Sequence, residues 1–139
     1  MLEKSFSINF KKIFLVVLLT MCTLTACSTS NDTDGNASKS VALVTDGNVN
    51  DQSFNQSAWR GLEDYGKEYK LTRGKDGYQY FQVKNQTNLK NGINKALRQK
   101  YQTIFAIGNK SKKAILSAAK SNPQKNFVII DDTIKGYKN

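Results

Sequence analysis

Between Asp46 and Gln56 the chain reads DGNVNDQSFNQ, which crowds carboxylates, amides and a hydroxyl around a single aromatic ring. Asp46, Asn48, Asn50, Asp51, Ser53, Asn55 and Gln56 are among the polar members and Phe54 is the ring. Carboxylates and amides at a pocket mouth hold hydroxyl groups and the amide-like edge of a base, and an aromatic side chain offers a stacking face. Two of these residues have a structural role open to them as well. Phe54 also suits a helix-start staple or a core position, and Asp51 suits a helix N-cap better than direct ligand contact. Asp46 and Asp131, each directly after an apolar run, are better placed for contact with a ligand.

Other chemistries lack their residues. There is no His, which removes the commonest general base and metal ligand together. The two cysteines, Cys22 and Cys27, both precede residue 30, so the body of the chain has no thiol chemistry and no disulfide. Asp, Glu, Lys and Tyr remain, and no two of them form a recognisable nucleophile–base pair. Neither an enzyme nor a cofactor is therefore expected. Gly108-Asn109-Lys110-Ser111-Lys112 lacks the glycine spacing of a phosphate-binding loop. Asp131-Asp132 alone makes a poor magnesium or phospho-acceptor pocket.

The elements that must position the polar loop follow from periodicity. Val41 to Thr45 is a short apolar strand run. Ser53 to Tyr69 places Phe54, Ala58, Leu62, Tyr65 and Tyr69 at helical spacing, with Asp51 or Ser53 as a fitting N-cap. Strands are predicted at Tyr78–Val83, Thr103–Ile107 and Phe127–Ile130. Helices are predicted at Thr87–Lys100, with Leu89, Ile93, Ala96 and Leu97 inward, and at Ser111–Ser121, with Ala114, Ile115, Ala118 and Ala119 inward. Strands alternating with helices imply right-handed crossovers and an α/β layered domain whose parallel sheet is covered on both faces. In such sheets ligands bind beyond the carboxyl ends of the strands. Those ends carry Asp46–Gln56, Gly108–Lys113 and Asp131–Thr133.

The first 39 residues have other duties. Lys4, Lys11 and Lys12 form a positive segment ahead of the apolar run Ile13 to Leu24, which suits an export signal and is too short for a spanning helix. Leu24-Thr25-Ala26-Cys27 looks like a bacterial lipobox, so residues 1–26 are expected to be a signal peptide. Cys27 would carry a lipid that anchors the protein at the extracytoplasmic face of the cell membrane. Ser28 to Lys39 (STSNDTDGNASK) reads as a flexible tether, leaving residues 40–139 as the folded part. Removing residues 1–26 takes away three Lys and one Glu and leaves 18 Lys+Arg against 10 Asp+Glu, a formal +8. The lysines are dispersed, and with an outward location they give no reason to expect a nucleic-acid partner.

Thr45 to Gly61, TDGNVNDQSFNQSAWRG, is similar to the signature of the basic-membrane-protein, PnrA-like lipoproteins, the nucleoside-binding components of ABC importers. The resemblance continues through Tyr78–Phe81, Ile104–Gly108 and Phe127–Asp132. It implies a two-lobed type I periplasmic-binding-protein-like fold that closes on a purine nucleoside and hands it to an ABC permease. Carried over, Phe54 stacks on the base, Asp46, Asn55 and Asp131 make polar contacts to base or sugar, and Asn50 and Asp51 shape the loop. Three departures stand out. The Asp46–Phe54 loop is one residue shorter, Asn50 stands where the family often has an acid, and Lys113 stands where a ribose-holding carboxylate is expected. Family members are more than twice as long, so the resemblance implies a partial N-terminal lobe, truncated and weak or inactive in binding. The other reading of the residues is a surface lipoprotein with an adhesion role and no small ligand.

Overall fold

Val41–Thr45 is buried along its whole length, the burial expected of a strand covered on both sides. It is β1 of a four-stranded sheet in our computed structural model, which describes residue 35 and residues 37–136. The signal segment, Cys27 and most of the tether lie outside the described residues. The other strands are β2 (Tyr78–Gln82), β3 (Thr103–Ile107) and β4 (Asn126–Ile130), all parallel, in the order β2-β1-β3-β4. Helices α1 (Phe54–Glu68), α2 (Leu89–Arg98) and α3 (Lys112–Ser121) form the crossovers. Short 3-10 turns, Gln86–Asn88 and Asn109–Ser111, lead into α2 and α3. The expected α/β layered domain is thus present, with helix ends within a few residues of the periodicity. No helix of the described residues is long and apolar enough to cross a membrane.

The strand order decides which helix covers which face. The crossover from β1 to β2 puts α1 on one side, and those from β2 to β3 and β3 to β4 put α2 and α3 on the other. Alternate strand residues divide accordingly. Ala42, Val44, Phe81, Ile104, Ala106 and Phe127 pack with Leu89, Ile93 and Ala96 of α2 and Ile115 and Ala119 of α3. Val41 and Leu43 pack with Trp59 and Leu62 of α1. One helix cannot span four strands, so on the α1 side Phe105, Ile107 and Ile130 are only half-buried. Coverage is therefore fuller on the α2–α3 side, where Ile129 of β4 is still half-buried, than on the other.

In α1 the inward stripe differs from the expected one. Trp59, Leu62 and Gly66 are buried, whereas Phe54 and Tyr69, at the two ends, are 47% and 40% exposed. Helical phase explains the shift. The buried residues Leu62, Gly66 and Trp59 follow one another round the helix on the side away from Phe54, and Trp59 takes the contact with Tyr78 and Tyr80, at centroid distances of 5.6 and 4.9 Å. The close approach of the helices depends on two glycines. A Cβ on Gly92 of α2 would lie 2.6 Å from Val44 Cγ1 and 2.9 Å from Val83 Cγ1, and one on Gly66 would overlap the Tyr78 ring.

Both α1 and α2 end in a Schellman arrangement without glycine. Lys70 (φ 53) and Lys100 (φ 67) take the left-handed position. Leu71 N–H then donates to Gly66 O, and Tyr101 N–H to Ala96 O. The following Leu71 and Tyr101 are buried, which is the hydrophobic contact that completes such an end. The tether does not run freely to Lys39 as expected. Ala37 O accepts from Ser40, and Lys39 O accepts from Tyr65 Oη at 3.1 Å, so its last residues lie against α1.

Candidate functional site

At the carboxyl end of the sheet the connections after β1 and β3 run to opposite sides, β1 toward β2 and β3 toward β4. This is the topological switch point, where an open α/β sheet leaves a crevice. The three loops expected to carry ligand contacts all converge on this end. With parallel strands about 4.8 Å apart, Asp46 after β1 and Asp131 after β4 stand roughly 10 Å apart across it. The structure therefore places Asp46, Asn50, Asp51, Phe54, Asn55 and Asp131 at one end of the fold, but gives them different environments.

The β1–α1 loop is held by its own side chains. Thr45, buried at the end of β1, donates its hydroxyl to Asn55 Oδ1 at 2.6 Å and accepts the Gly47 N–H at 2.9 Å. Asn55 Nδ2 in turn donates to Asp51 Oδ2 at 2.6 Å. The other Asp51 oxygen accepts the N–H groups of Ser53 (2.9 Å) and Gln56 (3.4 Å). Ser53 is the N-cap residue by backbone position, yet its side chain makes no cap; the Asp51 carboxylate, two residues earlier, satisfies the first turn instead. The hydrogen bond from Asn55 lowers the Asp51 pKa first, with help from the Ser53 and Gln56 donors and against a smaller burial effect. Gly47 has to be glycine here, because a Cβ would overlap the Asn55 amide. Val49 is buried beneath the loop and clips it onto the α1 side of the core. Asn50 is exposed, its N–H accepted by Asn48 Oδ1 at 2.9 Å.

This network leaves two groups of the loop turned outward. Phe54, the first residue of α1, is 47% exposed and takes no part in either core cluster. The Asp46 carboxylate, half-buried, has no hydrogen bond or ion pair among the described residues. Asn55, by contrast, uses its amide to tie Thr45 to Asp51, so its first duty is to position the loop.

Across the crevice the two adjacent acids have different surroundings. Asp131 is exposed and in the left-handed region (φ 65), turning the chain after β4. Asp132 points inward and pairs with Lys112 Nζ at 2.8 Å, and its Oδ1 also accepts the Thr133 N–H at 2.6 Å. Its Oδ2 is buried with no hydrogen-bond partner among the described residues. The Lys112 hydrogen bond, ahead of the Thr133 one, holds the Asp132 carboxyl below its ordinary range. Lys113, which the resemblance sets where a ribose-holding carboxylate is expected, is exposed on α3. Between the two acid-bearing loops, Gly108 (φ 72) makes the turn out of β3, and buried Ser111 donates to its carbonyl at 2.7 Å. No three Asp, Glu, His or Cys side chains converge among the described residues in a way that holds a metal.

Reading the residues in order missed Thr45 and Asp132. A threonine closing an apolar strand looks like one more strand residue. Only the contact across ten positions to Asn55 shows that its hydroxyl anchors the loop. Asp131 and Asp132 are adjacent, and the left-handed turn at Asp131 leaves Asp131 exposed and turns Asp132 inward.

A family model described as ABC transporter substrate-binding protein PnrA-like matches residues 38–139. The ABC transporter nucleoside-binding protein BmpA of Lactococcus lactis subsp. cremoris is 43% identical over 130 residues, covering 89% of this chain and 36% of that one. A CD4+ T-cell-stimulating antigen of Listeria innocua is 44% identical over 123 residues, covering 84% and 34%. The chain thus spans about a third of the length of the curated relatives it matches. Among solved structures, a lipoprotein fragment from Peptoclostridium difficile 630 superposes with a TM-score of 0.59 at 24% identity. That match covers 70% of this chain and 76% of the other, and it supports the fold alone.

Proposed function

This chain belongs to the family of PnrA-like ABC transporter substrate-binding proteins, and we propose that it contributes one wall of a purine-nucleoside site at the carboxyl ends of its strands. The observation that carries the reading is Phe54. A large ring stands exposed at the head of α1, outside both core clusters and at the end of the sheet where ligands bind in this architecture. Base–aromatic stacking suits such a ring. Asp46 then accepts from the base or sugar. Asp131, exposed at the turn after β4, offers its carboxylate to a sugar hydroxyl, the acceptor role that Lys113 cannot fill. Asn55 and Asp51 act behind them by holding the loop, while Asn50 lies at the rim.

The family's role in ABC transport gives the rest of the proposal: capture outside the cell, delivery to a membrane permease, and attachment through a lipid on Cys27 after removal of residues 1–26. The bilayer anchor would keep the site near its permease. A base lying on Phe54 has one face covered by the described residues and the other open. Binding by this lobe is therefore weak, since tight small-molecule sites bury most of the ligand. Titration calorimetry with adenosine, guanosine and inosine, against ribose and a pyrimidine nucleoside as controls, tests the assignment. The expected result is weak binding of purine nucleosides that Phe54→Ala diminishes; equal binding of free ribose would reverse the assignment.

A further inference from the structure

From Tyr78 to Ile130 the chain contains no Asp or Glu, but ten Lys or Arg. Lys112 is paired with Asp132, and Lys125 is turned to Lys100 O and Gln102. The fold gathers most of the others. Helices α2 and α3 lie side by side on one face of the sheet, and Lys90, Lys95, Arg98, Lys113 and Lys120 occupy exposed positions on them. The opposite side is mixed. There α1 carries Glu63, Asp64 and Glu68 among Arg60 and Lys67, and Lys67 is paired with Asp64 at 2.9 Å. Where the basic face meets β2, a groove of about 440 Å³ runs between residues that include Tyr80, Gln82, Asn91, Lys95 and Arg98.

The character of the face selects among polyanions. The large apolar side chains exposed among the described residues are Phe54 and Tyr69, both at the ends of α1; on the α2–α3 side the Phe81 ring beneath Lys95 is itself buried, so that face presents no exposed aromatic anchor. Protein interfaces rely on buried aromatic and Arg anchors, and single-stranded nucleic acid relies on stacking rings. Four of the five exposed charges are Lys, a hydrated point charge suited to a diffuse field rather than to bidentate recognition. We infer that the α2–α3 face docks this domain onto a bilayer surface rich in anionic phospholipid. The helices lie along the strands, so docking by this face leaves the strand ends, with Phe54, open at the side. The inference goes beyond nucleoside capture and does not depend on it.

The test is co-sedimentation of the full 139-residue chain, carrying Cys27→Ser so that no lipid is attached, with two kinds of vesicle. One is phosphatidylcholine alone and the other contains phosphatidylglycerol; the ratio of the two partition coefficients is the readout. A face variant combines Lys90→Gln, Lys95→Gln, Lys113→Gln and Lys120→Gln. A control variant combines Lys67→Gln, Lys70→Gln and Lys75→Gln on the α1 side. The leader is common to all, so differences between variants report on the domain. The face variant should lose about fivefold of the anionic preference for each charge removed, and the control should stay within twofold of the parent, roughly the effect of the weaker distant field. Making the α2 pair and the α3 pair separately provides variants with smaller changes should the quadruple fail to fold. An equal fall in both variants, no preference for anionic vesicles, or tighter binding to a single-stranded oligonucleotide than to the vesicles overturns the inference.

Discussion

Thr45 shows how much of the proposed site rests on a group that never meets the ligand. Its hydroxyl satisfies both Asn55 Oδ1 and the Gly47 N–H. Thr45→Val keeps the shape and leaves both without their partner. Unsatisfied buried polar groups cost about 1–3 kcal/mol, so chemical denaturation should show a loss of that size, and unchanged stability would place the loop's anchor elsewhere. Phe54→Ala should do the opposite: reduce nucleoside affinity by roughly 1–3 kcal/mol, the scale of one base–aromatic stack, with little change in unfolding, because the ring lies outside both core clusters. A pH dependence follows from the two acids held below their ordinary values. Asp51 is lowered by Asn55 and the α1 donors, and Asp132 by Lys112 and Thr133. A carboxyl with a depressed folded pKa stabilises the fold above its ordinary value, here 3.8. That stability is lost as pH falls through the folded pKa, because the unfolded chain binds its protons first. Asp51→Asn and Asp132→Asn should therefore flatten the fall in stability below about pH 5, an onset set by the ordinary Asp range. Equal slopes in variants and parent would remove both groups from the account. Phe54, Asp46 and the crowd of amides were legible in the residues because type and spacing announce them. The inward turn of Asp132 depends on one left-handed residue that has no sequence signal.

At the scale of elements, the alternation of apolar runs with 3.6-period segments was enough to place four strands and three helices, since each strand run is short and each helix presents an apolar stripe. The centre of the α1 stripe was not legible. Phe54 and Tyr69 share the helical spacing but overhang the sheet at either end, and Trp59 takes the middle. The helix ends were hidden too, because Lys70 and Lys100 sit where glycine is the usual signal. Lys100→Gly should stabilise the protein by about 0.5–1 kcal/mol, the left-handed penalty relieved less the entropy of a glycine in the unfolded chain. A thermal melt that moves down instead would show that the Lys100 side chain contributes more than its strain costs. The helix glycines separate packing from propensity. Gly92→Ala drives a methyl into Val44 and Val83 and should cost about 1–3 kcal/mol as overpacking. Gly61→Ala meets nothing within 4 Å and should gain about 1 kcal/mol of helix propensity. If Gly92→Ala raised stability as Gly61→Ala should, the close contact of α2 with β1 would be wrong.

For the whole molecule, the order β2-β1-β3-β4 matters more than any single contact. It sets the switch point between β1 and β3 and brings loops from three separate strands to one end. It also sends α2 and α3 to one side, which gathers the acid-free stretch Tyr78–Ile130 into a basic face. Composition revealed the excess of positive charge but not its placement, because lysines dispersed along the chain converge only when the crossovers are drawn. The same topology leaves the α1 side of β3 and β4 half-covered, a feature that alternating apolar strands do not announce. The central claim is that a purine nucleoside lies at the strand ends against Phe54. Amide chemical-shift mapping tests it most directly, since it registers weak binding residue by residue. On titration with a purine nucleoside, shifts should be confined to Gly47–Gln56, the turn after Gly108, and Asp131–Thr133, and should vanish in Phe54→Ala. Shifts centred on the groove beside β2, or an unaltered map in the Phe54 variant, would contradict the account.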